Sequence, residues 1–361
     1  EGAADMVYDD LTEAVGQVVE RVSTPWTRED ARTLAALAAA GLIFVAALLL
    51  ATTPPDALTA LDPQAVTRYN LIAGAIGIVS ALLVTATSVV MTRKYPGASG
   101  VALAHTVPLL TAAAALRLSQ SHWDTAGWGW TGLGLLIGAL AVLTLPKRYR
   151  ISIAAPLVVG TVLAATGLLV RLGQLSQAGI SAILFALIIV LLQVAPWIAL
   201  AHIPVRILDA DTTEQIPAKG ITDQVSNSFV FVVALRSGGA VAAIFLTISL
   251  MTAPEMRSVS LPLTLLTLGA VSLVLQTRSI RARVEVLLGA LSGLIVATVL
   301  GAYADPRTMP WLTLTAIATA LVLVVTNVVG PRARPHLTRI ADTVSVLSLF
   351  VLLPLAVYLW S

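Results

Sequence analysis

Eleven strongly apolar segments recur along the 361 residues of this chain, and they constrain its fold more than any other feature. A helix needs about 20 consecutive apolar residues to cross the roughly 30 Å hydrocarbon core of a bilayer. The segments have that length, and they lie near residues 33–52, 70–92, 99–117, 126–145, 151–171, 177–201, 229–252, 260–277, 284–304, 310–329 and 342–360. Hydrophobic residues make up 57% of the chain and charged residues only 11%, which is too apolar for a soluble protein of this size. The sequence therefore predicts an all-α, polytopic membrane protein with eleven transmembrane helices.

The distribution of basic residues between the apolar segments predicts the orientation. The longest polar passage after the first segment is residues 202–227, where Pro204 and Pro217 interrupt any regular helix. Alternate connections carry 16 Lys and Arg residues on one side and five on the other, with Arg236 left over. The basic-rich side, which includes 202–227, is predicted to be cytoplasmic. An odd number of spans then places the N-terminus in the cytoplasm and Ser361 outside.

Residues 1–31 are polar apart from one amphipathic piece. Five apolar residues recur there at helical spacing between charged ones: Leu11, Val15, Val18, Val19 and Val22. The pattern predicts a cytoplasmic amphipathic linker helix whose apolar stripe packs on protein or on the membrane surface. Residues 32–361 form the predicted transmembrane domain, with 202–227 as its cytoplasmic loop.

Two ionisable side chains stand out within the apolar segments. Arg236 lies in the seventh segment, and a helix over 223–252 would be roughly 45 Å long, against a hydrocarbon core of about 30 Å. Its first turns can therefore lie in the cytosol, which favours an Arg236 side chain that extends to lipid headgroups at the inner rim. A buried partner or a lipid-phosphate site is the alternative. For His105, three residues before Pro108, a helix-to-helix hydrogen bond is favoured over a ligand or proton role.

Pairs of glycines four residues apart are the clearest packing signal. They are Gly134 with Gly138 in the fourth segment, and Gly289 with Gly293 in the ninth. In a membrane, small residues at this spacing allow close helix contact where the hydrophobic effect no longer drives association. All four glycines are predicted to pack helices together.

Short basic loops on the predicted cytoplasmic side are candidate contact sites. They contain Arg278, Arg281, Arg283, Arg332, Arg334 and Arg339. Attraction to anionic lipid, about 1 kcal/mol per basic residue near the surface, is one explanation. Contact with acidic segments of partner proteins is the other. Together with Arg236, these arginines are the predicted partner or lipid contacts.

Residue patterns that would carry catalysis or hold a cofactor are not found in the sequence. No Asp or Glu lies in the middle of an apolar segment, and the four histidines do not have metal-binding spacing. There is no cysteine and no phosphate-binding glycine loop. The sequence therefore predicts no catalytic residues, no cofactor and no metal, and the excess of basic residues reflects membrane orientation rather than nucleic-acid binding.

Several positions together resemble a known family. They are Ala195-Pro196 and Ile203-Pro204 after the sixth segment, Arg278-Ser279 with Arg281 and Arg283, and Pro354-Leu355 with Tyr358. With the amphipathic helix and eleven spans, they resemble EccD, the polytopic membrane component of the type VII (ESX) secretion systems of mycobacteria and related actinobacteria. The resemblance covers essentially the whole chain, and it mildly favours the ESX-3 branch.

The resemblance implies a non-enzymatic scaffold in the cytoplasmic (inner) membrane, beside EccB, EccC and EccE subunits. It implies that two copies pack together around a lipid-filled space, that an ATPase-bearing partner supplies energy, and that a ubiquitin-like domain precedes Glu1. The alternative is a secondary transporter of a small solute or lipid, whose polar path would have to use His105, Gln193, Asn327 and Arg236. A membrane enzyme acting on lipid-linked substrates ranks third, because the outer loops offer only scattered acidic residues.

Overall fold

The computed structural model describes residues 28–52, 63–94, 98–120, 125–173, 175–201, 218–254, 260–276, 283–303, 309–328 and 334–360. The predicted linker helix lies outside these residues, apart from its last four positions, which begin the first helix. Loop residues 202–217 also lie outside them.

Eleven long helices and no strands make up this part of the chain, which confirms the predicted all-α fold. The helices are α1 (Arg28–Thr52), α2 (Pro63–Lys94), α3 (Ala98–Leu118), α4 (Thr125–Ala139), α5 (Ala154–Gly173), α6 (Gln177–Ala201), α7 (Ala218–Met251), α8 (Ser260–Gln276), α9 (Arg283–Tyr303), α10 (Met309–Val328) and α11 (Arg334–Trp360). Two 3₁₀ segments, Leu140–Thr144 and Ile151–Ile153, and one helical turn, Lys147–Arg150, join α4 to α5.

The ends of several helices extend beyond the predicted apolar segments. The clearest case is α7, which begins at Ala218, so residues 218–227 of the predicted loop are helical. Pro217 immediately precedes this helix in the sequence, and proline is compatible with the start of a helix but not with its interior. With 34 residues α7 is about 51 Å long, and it is therefore longer than a bilayer core is thick.

Hydropathy separates the helices into two groups. Helices α1 to α7 each belong to an apolar helical stretch of at least 19 residues, which is long enough to cross a bilayer. For α4 this stretch, Ala126–Thr144, includes the 3₁₀ segment that follows the helix. Helices α8 to α11 contain shorter apolar stretches, Ser260–Leu275, Leu287–Ala302, Met309–Leu321 and Val346–Trp360. All eleven helices overlap the predicted segments, and the orientation of the termini stays a prediction.

The helices pack as two adjoining bundles. In the first, α3 lies at the centre and contacts α1, α2 and α4, while α5 packs on α4. In the second, α6 packs against α7 and α11, and α8 packs against α9 and α11. The contact between α5 and α7 joins the bundles, and α10 lies at the edge of the second one.

The second bundle has the largest buried cluster. Phe185 of α6 is fully buried there with Leu246 of α7 and Leu265 of α8. Polar side chains cross the same interface: the Ser181 and Ser249 hydroxyls lie 2.7 Å apart, and Gln177 Nε2 donates to the Ser249 carbonyl oxygen at 2.9 Å. Such bonds stabilise helix pairs in lipid, where a polar side chain has no water to bind.

Close backbone contact holds α4 against α5. A Cβ atom added at Gly132 of α4 would lie 2.2 Å from the backbone nitrogen of Ala164 and 2.7 Å from the carbonyl oxygen of Gly160, both in α5. Backbone atoms in the middle of a helix cannot move aside as a flexible side chain can. Only glycine therefore fits at position 132.

We predict that Gly132→Ala destabilises the protein by roughly 1–3 kcal/mol, the usual cost of an overpacked site, because it forces α4 and α5 apart. Gly41→Ala is the matched control, since a Cβ at Gly41 of α1 meets nothing within 4 Å. Thermal unfolding in detergent should show a lower midpoint for the first variant and an unchanged or slightly raised one for the second. Equal midpoints for the two variants would contradict the close contact.

Candidate functional site

An apolar cleft of about 530 Å³ opens between the two bundles. Five helices line it: α1, α3, α4, α5 and α7. Ala112 of α3 and Leu135 of α4 form part of its buried wall, whereas Phe44 and Leu48 of α1 and Val241 of α7 are exposed and lie at its opening.

The polar side chains that line the cleft do not make it hydrophilic. Thr131 Oγ1 donates to the carbonyl oxygen of Gly127 at 2.8 Å, and Ser237 Oγ donates to that of Ala234 at 2.9 Å, each within its own helix. The third polar side chain is His105, whose Nδ1 atom is buried and has no hydrogen-bond partner within the described residues. The helix-to-helix hydrogen bond predicted for His105 is therefore not formed at Nδ1.

Arg236 is buried in the second bundle. Its side chain is only 6% exposed, and it lines a small cavity with Leu192 of α6, Leu273 of α8, and Gly289 and Ser292 of α9. This corrects the expectation of a side chain that extends along the surface to lipid headgroups. The reason is that α7 turns this position towards three neighbouring helices rather than towards lipid.

Three of the four predicted packing glycines lie at two helix interfaces. A Cβ added at Gly134 would lie 2.5 Å from the carbonyl oxygen of Thr111, and one at Gly138 would lie 2.5 Å from the Cα of Pro108, so both face α3. Gly293 of α9 faces α8, where its added Cβ would lie 2.4 Å from a methyl carbon of Val274. Gly289 lies beside Arg236 instead.

Most of the loop arginines that are predicted to contact partners or lipid have no described side chain. Arg278, Arg281 and Arg332 lie outside the described residues. Arg283 and Arg334 are the first residues of α9 and α11. Arg339, in α11, is exposed. The contact role of these arginines therefore stays a prediction.

Arg117 is an interhelix contact that sequence reasoning missed, since it is one of the five basic residues assigned to the basic-poor side. It lies at the end of α3 and is only 7% exposed. Its Nε donates to the carbonyl oxygen of Leu50 near the end of α1. Its Nη1 lies 3.4 Å from Asn70 Oδ1 of α2, and its guanidinium carbon lies 5.9 Å from the centre of the Tyr69 ring. One arginine thus joins three helices at one end of the first bundle.

Other polar groups also connect helices. Gln193 Nε2 of α6 donates to Ser272 Oγ of α8 at 2.9 Å, and Ser88 Oγ of α2 donates to the Gly100 carbonyl oxygen of α3 at 2.8 Å. Gln193 was one candidate for a polar transport path, and its amide is engaged in this contact instead. Asn327, another candidate, lies in α10, and its side chain is outside the described set. The described residues include no cluster of three or more potential metal ligands.

These observations first identify the general class of protein. The chain is a multi-pass helical membrane protein in which interhelix hydrogen bonds join neighbouring helices, and an apolar cleft opens between its two bundles. A family model described as an EccD-like transmembrane domain matches residues 31–361. The chain therefore belongs to the EccD family, and it is a multi-pass inner-membrane component of type VII secretion.

Comparison with solved structures gives the same fold. Protomer 1 of the ESX-3 core complex is similar with a TM-score of 0.67 and 16% identity, over 100% of this chain and 82% of that one. A chain of the MycP5-free ESX-5 inner membrane complex, State II, has a TM-score of 0.59 and 16% identity, over 90% and 75%. Both branches match, so the ESX-3 preference stays a prediction. No curated protein matches the chain.

We predict that Arg117→Met destabilises the protein by about 1.5–3 kcal/mol, because it removes charge-assisted hydrogen bonds and leaves the Leu50 and Asn70 oxygens unpaired. Arg171→Met is the matched control, since Arg171 is an exposed arginine in the last turn of α5. Thermal unfolding in lipid nanodiscs measures the difference. If both variants unfold at the parent's temperature, the contacts of Arg117 contribute no stability.

Proposed function

We propose that this chain is a structural subunit of a type VII secretion complex, in which two copies pack together and enclose a lipid-filled space. The observation that carries the proposal is the family match over residues 31–361, which covers all the described helices but the first three residues of α1. The solved complexes that resemble it are described as an ESX-3 core complex and an ESX-5 inner membrane complex. Partners of the EccB, EccC and EccE type are therefore proposed for this chain as well.

The arrangement of polar groups supports a scaffold. Ser181, Ser249 and Gln193 connect one helix to another rather than lining a continuous path. The cleft has an apolar lining, which does not suit an aqueous route for a solute. A carrier driven by protons or ions needs ionisable groups that change charge within the bundle. The sequence has no Asp or Glu in the middle of an apolar segment, so energy is proposed to come from an ATPase-bearing partner.

Exposed apolar side chains on the second half of the chain support contact with lipid. Large apolar side chains are exposed on the second half of the chain, among them Leu291 and Leu294 of α9 and Trp311 and Leu314 of α10. Surfaces of this kind suit a lipid-filled space between copies better than a water-filled one.

Arginine docking on the cytoplasmic side is a separate part of the proposal. The loop arginines Arg278, Arg281 and Arg283 would contact acidic segments of partner subunits through bidentate hydrogen bonds to carboxylates. Lysine keeps the positive charge and the attraction to anionic lipid, but it cannot form the bidentate contact. Exchange of arginine for lysine therefore separates the two roles.

Copurification from native membranes tests the proposal. A tagged copy, expressed beside an untagged one, should recover the untagged copy and subunits of the EccB, EccC and EccE type, identified by mass spectrometry. Recovery of neither the second copy nor any secretion subunit would refute the structural role.

A variant arm tests the docking contacts in the same preparation. The triple variant R278K/R281K/R283K should insert normally but recover less of the partners, whereas R171K, at an exposed position in α5, should recover as much as the parent. If the triple variant recovers the partner subunits fully, these arginines serve only to attract anionic lipid.

A further inference from the structure

The cleft between the bundles has the depth of one leaflet of a bilayer. Its lining on α3 runs from His105 to Leu116, which at 1.5 Å per residue corresponds to about 16 Å. Half of the roughly 30 Å hydrocarbon core is close to that length. Ala51 and Leu116 lie in the last turns of α1 and α3, so the cleft reaches these helix ends.

The volume of the cleft fits one hydrocarbon chain. Since a liquid water occupies about 30 Å³ and a methylene group is of similar size, 530 Å³ corresponds to about 18 such groups. Spread over about 16 Å, this volume has a mean cross-section of about 33 Å². A helix with a diameter of about 10 Å needs about 80 Å². The mean cross-section of the cleft is therefore less than half that of a helix, which favours a narrower occupant than a helix from a second copy or from a partner protein.

The chemistry of the cleft also suits a hydrocarbon chain. Its walls are apolar apart from His105, and the hydroxyl groups of Thr131 and Ser237 donate to carbonyl oxygens of their own helices. Phe44, Leu48 and Val241, at the opening, are between 42% and 51% exposed, so the opening lies on an apolar surface that faces lipid. An acyl chain can therefore enter sideways from the bilayer without crossing a polar barrier.

We propose that this cleft binds one acyl chain of a bilayer phospholipid within each copy of the protein. The acyl chain fills the gap between α1, α3 and α7, where side chains would otherwise lack contacts on one side. It thereby joins the first bundle to the second beside the contact of α5 with α7. This site goes beyond the lipid-filled space proposed between two copies, because it needs only one copy.

Photochemical labelling tests the proposal in a bilayer. The full chain is placed in vesicles of phosphatidylethanolamine and phosphatidylglycerol that contain phosphatidylethanolamine with a diazirine on one acyl chain. After illumination, peptide mass spectrometry locates the adducts. Adducts are expected on the buried wall at Ala112 and Leu135, which are only 5% and 6% exposed, besides those on lipid-facing helix surfaces. Adducts restricted to exposed residues such as Leu82 would overturn the proposal.

A cleft-filling variant adds a second, independent readout. Val241→Trp, at the opening, should reduce wall adducts at least fivefold and leave those on α2 unchanged, whereas Leu82→Trp, on the exposed face of α2, should change neither. Unchanged wall adducts in the Val241→Trp variant would contradict binding in the cleft. Wall adducts obtained with a free diazirine fatty acid but not with the phospholipid would overturn the choice of ligand.

Labelling of the parent needs no substitution, so it decides the matter even if a variant fails to fold. The same experiment on chains separated as single copies keeps this site distinct from the dimer. Wall adducts in single copies are expected whether or not the proposed complex forms, and their loss in single copies would assign the lipid to the space between copies instead.

Discussion

The absence of water inside a bilayer is the constraint on which the rest of this structure depends. Every backbone polar group within the hydrocarbon must find a partner in the chain, and helices provide those partners within one segment. Once helices are formed, burial of apolar surface no longer drives them together, because lipid is as apolar as leucine. Association must then come from close contact and from polar side chains. Both are visible where Gly132 of α4 meets the backbone of α5, and where Gln177 and Ser181 of α6 meet Ser249 of α7.

Two buried arginines show how charged side chains are accommodated in a bilayer that contains no water. Arg117 ends α3 and satisfies a carbonyl oxygen at the end of α1, where helix geometry leaves such oxygens without an intrahelical donor. Arg236 lies among α6, α8 and α9 in the second bundle. A charge is costly in lipid, so each arginine side chain is surrounded by protein rather than by lipid.

The positions of the helices could be predicted from the sequence because hydropathy alone determines which segments enter a membrane. The start of α7 at Ala218 differs from the prediction, since polar residues at a helix end do not reveal whether the helix continues beyond the bilayer. Contacts between helices were harder to predict. The spacing of Gly134 and Gly138 indicated a packing face, but only the fold shows that this face meets α3 at Pro108.

Most features of the candidate site could not be predicted from the sequence. Arg117 looked like a loop residue because its partners, Leu50 and Asn70, are distant along the chain. Arg236 looked like a rim residue because its neighbours belong to three other helices. The cleft is formed by five helices, and its lining residues share no pattern in the sequence. Long-range packing decided each of these features.

The central claim is that the membrane interior of this chain serves packing and lipid contact rather than solute transport. The direct measurement is proton flux into vesicles that contain the purified chain alone, under an imposed pH gradient and with a panel of small solutes. The account predicts a flux equal to that of empty vesicles. Solute-dependent proton uptake that His105→Phe abolishes would contradict it and would favour a transporter.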